Sequence, residues 1–184
     1  MRRNVVVVVM AVSVVLVLGA GFFLFWPSEY STEGKACNDF EVEPLQRLFG
    51  TGPAVMVEET PGSQEISCGY RIVAEGGEEA GVALVALGAR TFATPEQARA
   101  QLDRHQLDGE GNEEVSGIGE RALMFAIPMS SDAPQVMTNY TLSVWHEKLF
   151  LAVSLQALNV EGVDTAAVRP ALIDVARRAM STLD

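Results

Sequence analysis

The sequence contains few of the residues on which catalysis and metal binding usually depend. Its 184 residues include two histidines, His105 and His146, which lie far apart in the chain. No serine stands in the G-x-S-x-G pattern of a nucleophile elbow. The two cysteines, Cys37 and Cys68, lack the C-x-x-C spacing of redox and zinc motifs. We therefore expect no enzyme activity, no metal and no cofactor, and we assign no catalytic residue.

Two short motifs resemble binding loops but lack essential positions. The acidic segment 108–114 has carboxylates at alternate positions, as a calcium loop does. Glu113 stands where such a loop needs glycine, and Gly119 stands where it needs the closing glutamate. Gly117 and Gly119 are not followed by the third glycine of a dinucleotide site. Both segments are predicted to be solvated loops or turns.

Charged side chains are missing from a run of 22 residues that begins at Val5 and ends at Trp26. As a helix this run would be about 33 Å long, against roughly 30 Å for the hydrocarbon core of a bilayer. Arg2 and Arg3 precede it, whereas acidic residues follow it. By the positive-inside rule, the N-terminus is predicted in the cytoplasm and the rest of the chain outside.

The predicted organisation is that of a single-pass protein of the cell membrane. It consists of a cytoplasmic tip at 1–4, a transmembrane helix acting as signal anchor at 5–26, a juxtamembrane linker at 27–36 and an extracytoplasmic domain at 37–184. Cleavage near the small residues 19–21 would instead give a secreted protein, although the apolar run continues to Trp26. A lipoprotein is disfavoured because Lys35 lies two residues before Cys37, and a buried core helix is disfavoured by the length of the run.

Basic residues are scarce after the apolar run. That part of the chain carries 11 basic and 24 acidic residues, a net charge of −13. An acidic surface repels phosphate groups, so the sequence argues against a nucleic-acid partner. The simplest role of this charge is to keep the domain soluble.

The cysteines are predicted to pair with each other, because a domain outside the cytoplasm folds in an oxidising compartment. A Cys37–Cys68 disulfide would close a loop of about 32 residues and contribute roughly 3–4 kcal/mol in the chain-entropy model. It would tie the first helix of the domain to its first strand. A redox-active or metal-bound pair is the alternative, and neither histidine lies near a cysteine in sequence.

Hydrophobic periodicity predicts an α+β domain in which helices cover one antiparallel sheet. Apolar residues at alternate or helical spacing predict strands at 66–72, 82–87, 121–127, 140–146 and 149–156, and helices at 43–49, 95–107 and 165–183. Strand 82–87 is apolar on both sides and is predicted to be central. Residues 52–62 and 108–114 are predicted to be loops. His105 is predicted on the inner face of its helix, and His146 at the solvent edge of a hairpin.

The order of several short motifs resembles one family of actinobacterial envelope proteins, the "domain of unknown function 3558" group. The motifs are Cys37, Leu48-Phe49-Gly50, Ser67-Cys68-Gly69-Tyr70, Thr94-Pro95-Glu96-Gln97-Ala98 and Val115-Ser116-Gly117-Ile118-Gly119-Glu120-Arg121-Ala122. The resemblance covers residues 36–183. It implies an exported α+β domain with a disulfide and no assigned activity, so no site residues carry over.

The leading hypothesis is a binding or interaction module of the cell envelope, held at the membrane by residues 5–26 and without catalysis. One alternative is a carrier of a small apolar ligand, and a second is an envelope hydrolase that uses carboxylates. A flat exposed apolar patch would favour a protein partner. A deep apolar pocket would favour the carrier, and two facing buried carboxylates would favour the hydrolase.

Overall fold

The computed structural model describes residues 30–50, 53–78, 81–105, 112–128, 137–158 and 165–184. Within them lie the 3₁₀ helix Cys37–Asp39, α1 Glu43–Gln46, β1 Ala54–Thr60, β2 Glu65–Val73, β3 Val82–Thr91, α2 Pro95–His105, β4 Asn112–Val115, β5 Arg121–Pro128, β6 Met137–His146, β7 Leu149–Leu158 and α3 Thr165–Leu183. The predicted anchor at 5–26 lies outside these ranges. None of the helices in the described ranges is both long and apolar enough to span a bilayer.

The strands form one antiparallel sheet in the order β1-β2-β3-β7-β6-β5-β4. Two meanders, β1 to β3 and β4 to β7, are joined where β3 pairs with β7. The predicted α+β class with an antiparallel sheet is confirmed. The predicted central position of residues 82–87 is also confirmed, because β3 has two strands on one side and four on the other.

One face of the sheet, here called the core face, carries the main hydrophobic core. Alternate residues of β2, β3 and β7 point to this face because side chains alternate along a strand. Helix α3 packs on it with the predicted stripe Val168, Leu172, Val175, Ala179 and Leu183, every one of them buried. Pro170 lies in the second turn of α3, and the helix continues through it.

The opposite face, here called the second face, is only partly covered. Helix α2 packs against β6 and β7 and buries Leu102 on a smaller cluster with Leu123, Phe125 and Phe150. Gln97 N–H donates to Thr94 Oγ1 over 3.4 Å, as the predicted helix cap requires. The part of this face formed by β1, β2 and β3 has no helix over it among the described residues.

Two segments predicted to be loops contain strands instead. Residues 54–60, within the predicted loop 52–62, form β1 at one edge of the sheet. Residues 112–114, within the predicted acidic loop 108–114, begin β4 at the other edge. Both strands show little alternation of burial, because an edge strand buries little of either side. The spacing of apolar residues in these two segments therefore does not indicate a strand.

Residues 30–36, which precede the 3₁₀ helix and are here called the N-terminal segment, pack on the domain. Tyr30 and Thr32, within the segment predicted as a linker, are 8% and 1% exposed. Ser31 N–H donates to the Leu183 carbonyl at the end of α3 over 2.9 Å, and Thr32 Oγ1 donates to the Gly62 carbonyl over 3.1 Å. This segment therefore runs from the end of α3 to the β1–β2 turn.

Candidate functional site

The uncovered part of the second face forms an open groove. In one row of side chains, Leu84 of β3 lies beside Gln156 of β7. In the next row, Ala86 lies between Gly69 of β2 and Ser154 of β7. The groove has a volume of about 310 Å³ and is lined by Val57, Glu58, Gly69, Tyr70, Leu84, Val85, Ala86, Asn139, Ser154 and Gln156.

Small side chains form the floor of the groove. Gly69, Ala86 and Ser154 leave a low strip between larger neighbours. A bulge between Met56 and Glu58 shifts the register of β1 opposite Gly69. A Cβ atom at position 69 would lie 3.2 Å from Glu58 Cβ, so glycine allows β1 this close approach.

Exposed apolar side chains border this groove. Within the described ranges, the large hydrophobic residues that are exposed are Val55 at 54%, Met56 at 38%, Val57 at 57% and Leu84 at 37%. Three of them are consecutive residues of β1, and the fourth lies on β3. Val55 and Val57 lie on the second face with Leu84, whereas Met56, opposite the buried Tyr70, lies on the other side of β1. The apolar exposure of the described residues is therefore concentrated at one corner of the sheet.

The polar groups of the groove are uncharged apart from Glu58. Thr141 Oγ1 and Ser154 Oγ lie 3.0 Å apart in a hydrogen bond. Asn139 Oδ1 is buried and has no hydrogen-bond partner. Amide and hydroxyl groups beside apolar side chains can orient a bound molecule, but they supply no nucleophile with an adjacent base.

The disulfide lies on the core face, beneath β1 and β2. Cys37 and Cys68 are bonded, with their Cα atoms 5.5 Å apart. Cys68 belongs to β2, so the bond ties the 3₁₀ helix to the second strand of the sheet and not to the first. Cys37 N–H also donates to Glu59 Oε1 of β1 over 2.7 Å. One residue thus links the N-terminal segment to both strands.

Tyr70 completes this link from within the core. Its hydroxyl donates to the Cys37 carbonyl over 2.6 Å, and its side chain is 5% exposed. Burial, and then the negative charges of Glu59 and Asp39, together raise the pKa of Tyr70 to about 12. The phenol therefore stays protonated at neutral pH and serves as a structural donor.

The two histidines are not brought together by the fold. His105 is exposed at the end of α2, which corrects the prediction of an inner position, although its ring centroid lies 4.7 Å from that of Phe150. Burial, and then the charge of Arg104, lowers the pKa of His105. His146 lies on the hairpin as predicted, but it is half-buried and not at the solvent edge, because its ring lies 5.6 Å from that of Tyr30.

The acidic residues of the described ranges are surface groups. No carboxylate in these ranges is buried, and no group of three or more potential metal ligands is found there. Glu113 and Glu114, from the calcium-like segment, form ion pairs with Arg169 and Arg121. Residues 108–111 of that segment lie outside the described ranges.

The residues of the groove were not predicted as a site. The apolar triplet from Val55 to Val57 was a possible signal, but it stands between Pro53 and Pro61 and was interpreted as a loop. Strand 82–87 is predicted to be central because it is apolar on both sides, so its sequence does not indicate that Leu84 is exposed. Only the position of α2 over the other half of the sheet explains its exposure.

Tyr70→Phe tests the role of the buried hydroxyl. At pH 7 the variant should lose about 1 kcal/mol of unfolding free energy, because the Cys37 carbonyl loses its donor. The folded-state pKa of Tyr70 lies above its unfolded value of 10.0, so wild-type stability falls as pH rises from 10 towards 12. The variant should lose less stability over that interval. Urea unfolding at pH 7, 10 and 11.5 measures both effects, and parallel pH profiles would contradict the assignment.

No protein-family model matches this chain, and no curated protein matches it either. The resemblance to the family named above therefore stays a prediction. Residues of two of its motifs make contacts that support the fold. Cys68 and Tyr70 lie in β2 and hold the N-terminal segment, and Thr94 caps α2. Motifs of this kind maintain a fold and do not identify a ligand.

Proposed function

We propose that this protein is a binding module of the cell envelope, anchored in the membrane by residues 5–26, that holds a protein partner on the second face without catalysis. The supporting observation is the concentration of exposed apolar residues on this face at Val55, Val57 and Leu84. Exposed apolar side chains clustered beside a groove are typical of a protein interaction site. The shallow, open form of the groove also favours a protein over a small molecule.

The position of Tyr30 supports a groove that faces away from the membrane. Tyr30 lies beside His146 on β6, close to the start of β7 at Leu149. The groove lies seven residues further along β7, at Gln156, which is about 23 Å at roughly 3.3 Å per residue. An anchor that ends a few residues before Tyr30 would leave the groove on the side of the domain away from the bilayer.

A small apolar ligand is a second candidate, because the groove holds about 310 Å³, near the lower limit for a ligand site. Asn139 Oδ1 and the side chain of Gln156 would supply its polar contacts. The third candidate, a carboxylate hydrolase, would need two facing buried carboxylates, and no carboxylate is buried among the described residues. Membership of the actinobacterial family would agree with any of these roles.

Photo-crosslinking in cells that express the protein natively tests the binding function. A photoreactive amino acid in place of Leu84 should give an adduct with another protein. The same group in place of Ala100, which is exposed on α2, should give none. A small-mass adduct at position 84 would favour the apolar carrier. Equal crosslinking at both positions, or none at position 84, would contradict the proposed surface.

Protease treatment of intact protoplasts tests the proposed topology. Protease added outside should remove the domain that follows residue 29, because the N-terminal arginines keep only the short tip in the cytoplasm. Disrupted protoplasts provide the control for cleavage of the whole population. Full protection of the domain in intact protoplasts would reverse the orientation.

A further inference from the structure

We propose, building on the binding function above, that the partner adds an extended segment to β1 as an eighth strand, and that this segment alternates apolar with basic side chains. The feature that carries the proposal is the outer edge of β1. Within the described ranges β1 pairs with β2 on one side and with no strand on the other.

An open strand edge presents unpaired N–H and C=O groups that a second extended backbone can satisfy. Addition of a strand is a recurring way in which proteins bind extended peptides. β1 is seven residues long, enough to pair with a short segment. Its apolar residues are exposed and not turned into the core, so they remain available to the side chains of an added strand.

The opposite edge of the sheet is built differently. β4 has four residues, and its carboxylates are held in ion pairs: Glu113 with Arg169 over 3.0 Å and Glu114 with Arg121 over 3.1 Å. Short, charged edges are a usual protection against unwanted pairing. β1 is longer, and before its bulge, at Val55 and Met56, it carries no charge. These features single it out as the edge available for a partner.

The charges on β1 indicate the composition of the added strand. Glu58 is exposed, and in the part of the chain that the structure describes no basic group lies within 4.0 Å of its carboxylate. Glu59 follows it and accepts a hydrogen bond only from the Cys37 amide among the described contacts. A Lys or Arg of the partner would meet Glu58 on the second face, with its aliphatic chain packed on Val57. The apolar residues of the added strand would lie on the other side and contact Met56.

A second copy of this chain does not supply that composition. β1 contains two glutamates and no basic residue, so pairing between two copies would give Glu58 no cation. Each copy would also bring an excess of negative charge to the contact. The partner is therefore a different protein.

Binding of a defined peptide to the full chain in detergent micelles tests this proposal. The probe is a fluorescent, end-capped Lys-Val-Lys-Val-Lys-Val-Lys peptide, and Glu-Val-Glu-Val-Glu-Val-Glu is its acidic counterpart. Anisotropy should show saturable binding of the basic peptide below about 1 mM, at least about tenfold tighter than that of the acidic one. Hydrogen exchange should slow at the amides of β1 and not at those of β4.

Three variants complete the experiment. Val57→Lys should weaken binding at least about tenfold, because it removes an apolar contact and adds a repelling charge. Glu58→Gln should weaken it a few-fold, since an exposed ion pair contributes little. Ser116→Lys, an equal charge change at an exposed position near the β4 edge, should leave binding unchanged.

Several outcomes would overturn the added strand. They are the absence of saturable binding, protection away from β1, or dimers of the chain formed through β1. A crosslink at position 84 together with any of these results would leave the binding module in place and remove only the strand pairing. Loss of the crosslink as well would remove both.

Discussion

The pairing of β3 with β7 is the interaction on which the rest of the structure depends. It runs over ten residue pairs, from Val82 with Leu158 to Thr91 with Leu149, and joins two meanders into one sheet. Seven strands about 4.8 Å apart make a sheet about 29 Å wide. Helix α3 has 19 residues and is about 28 Å long, whereas α2 has 11 and is about 16 Å long. Helix α2 is therefore too short to cover the whole of the second face.

The two faces of the sheet therefore differ in how far they are covered. On the core face, α3, the disulfide and Tyr70 bind the N-terminal segment and the sheet into one unit. On the second face, the cluster around Leu102 closes one half and leaves Leu84 open in the other. Most of the buried apolar side chains thus lie on the core face, and the binding surface that we propose lies on the part of the second face that the cluster around Leu102 does not close.

The sequence was most informative where local chemistry decides the structure. Thr94 as a helix cap and the apolar stripe of α3 depend on neighbours a few residues away, and both were confirmed. β1 could not be predicted, because its residues are exposed on both sides and show no alternation of apolar and polar side chains. The groove is less predictable still. It depends on which strands lie beneath α2, and no pattern within a single segment reports that.

The exposure of β1 is the claim on which the proposed function depends, and oxidation of methionine tests it most directly. Met56 of β1 is 38% exposed, and Met124 of β5 is 5% exposed. Brief treatment of the folded full chain with dilute hydrogen peroxide, followed by peptide mass spectrometry, should show Met56 oxidised about tenfold faster or more, because access controls the reaction. Equal protection of Met56 and Met124 would show that β1 is covered in the free protein and would contradict the account.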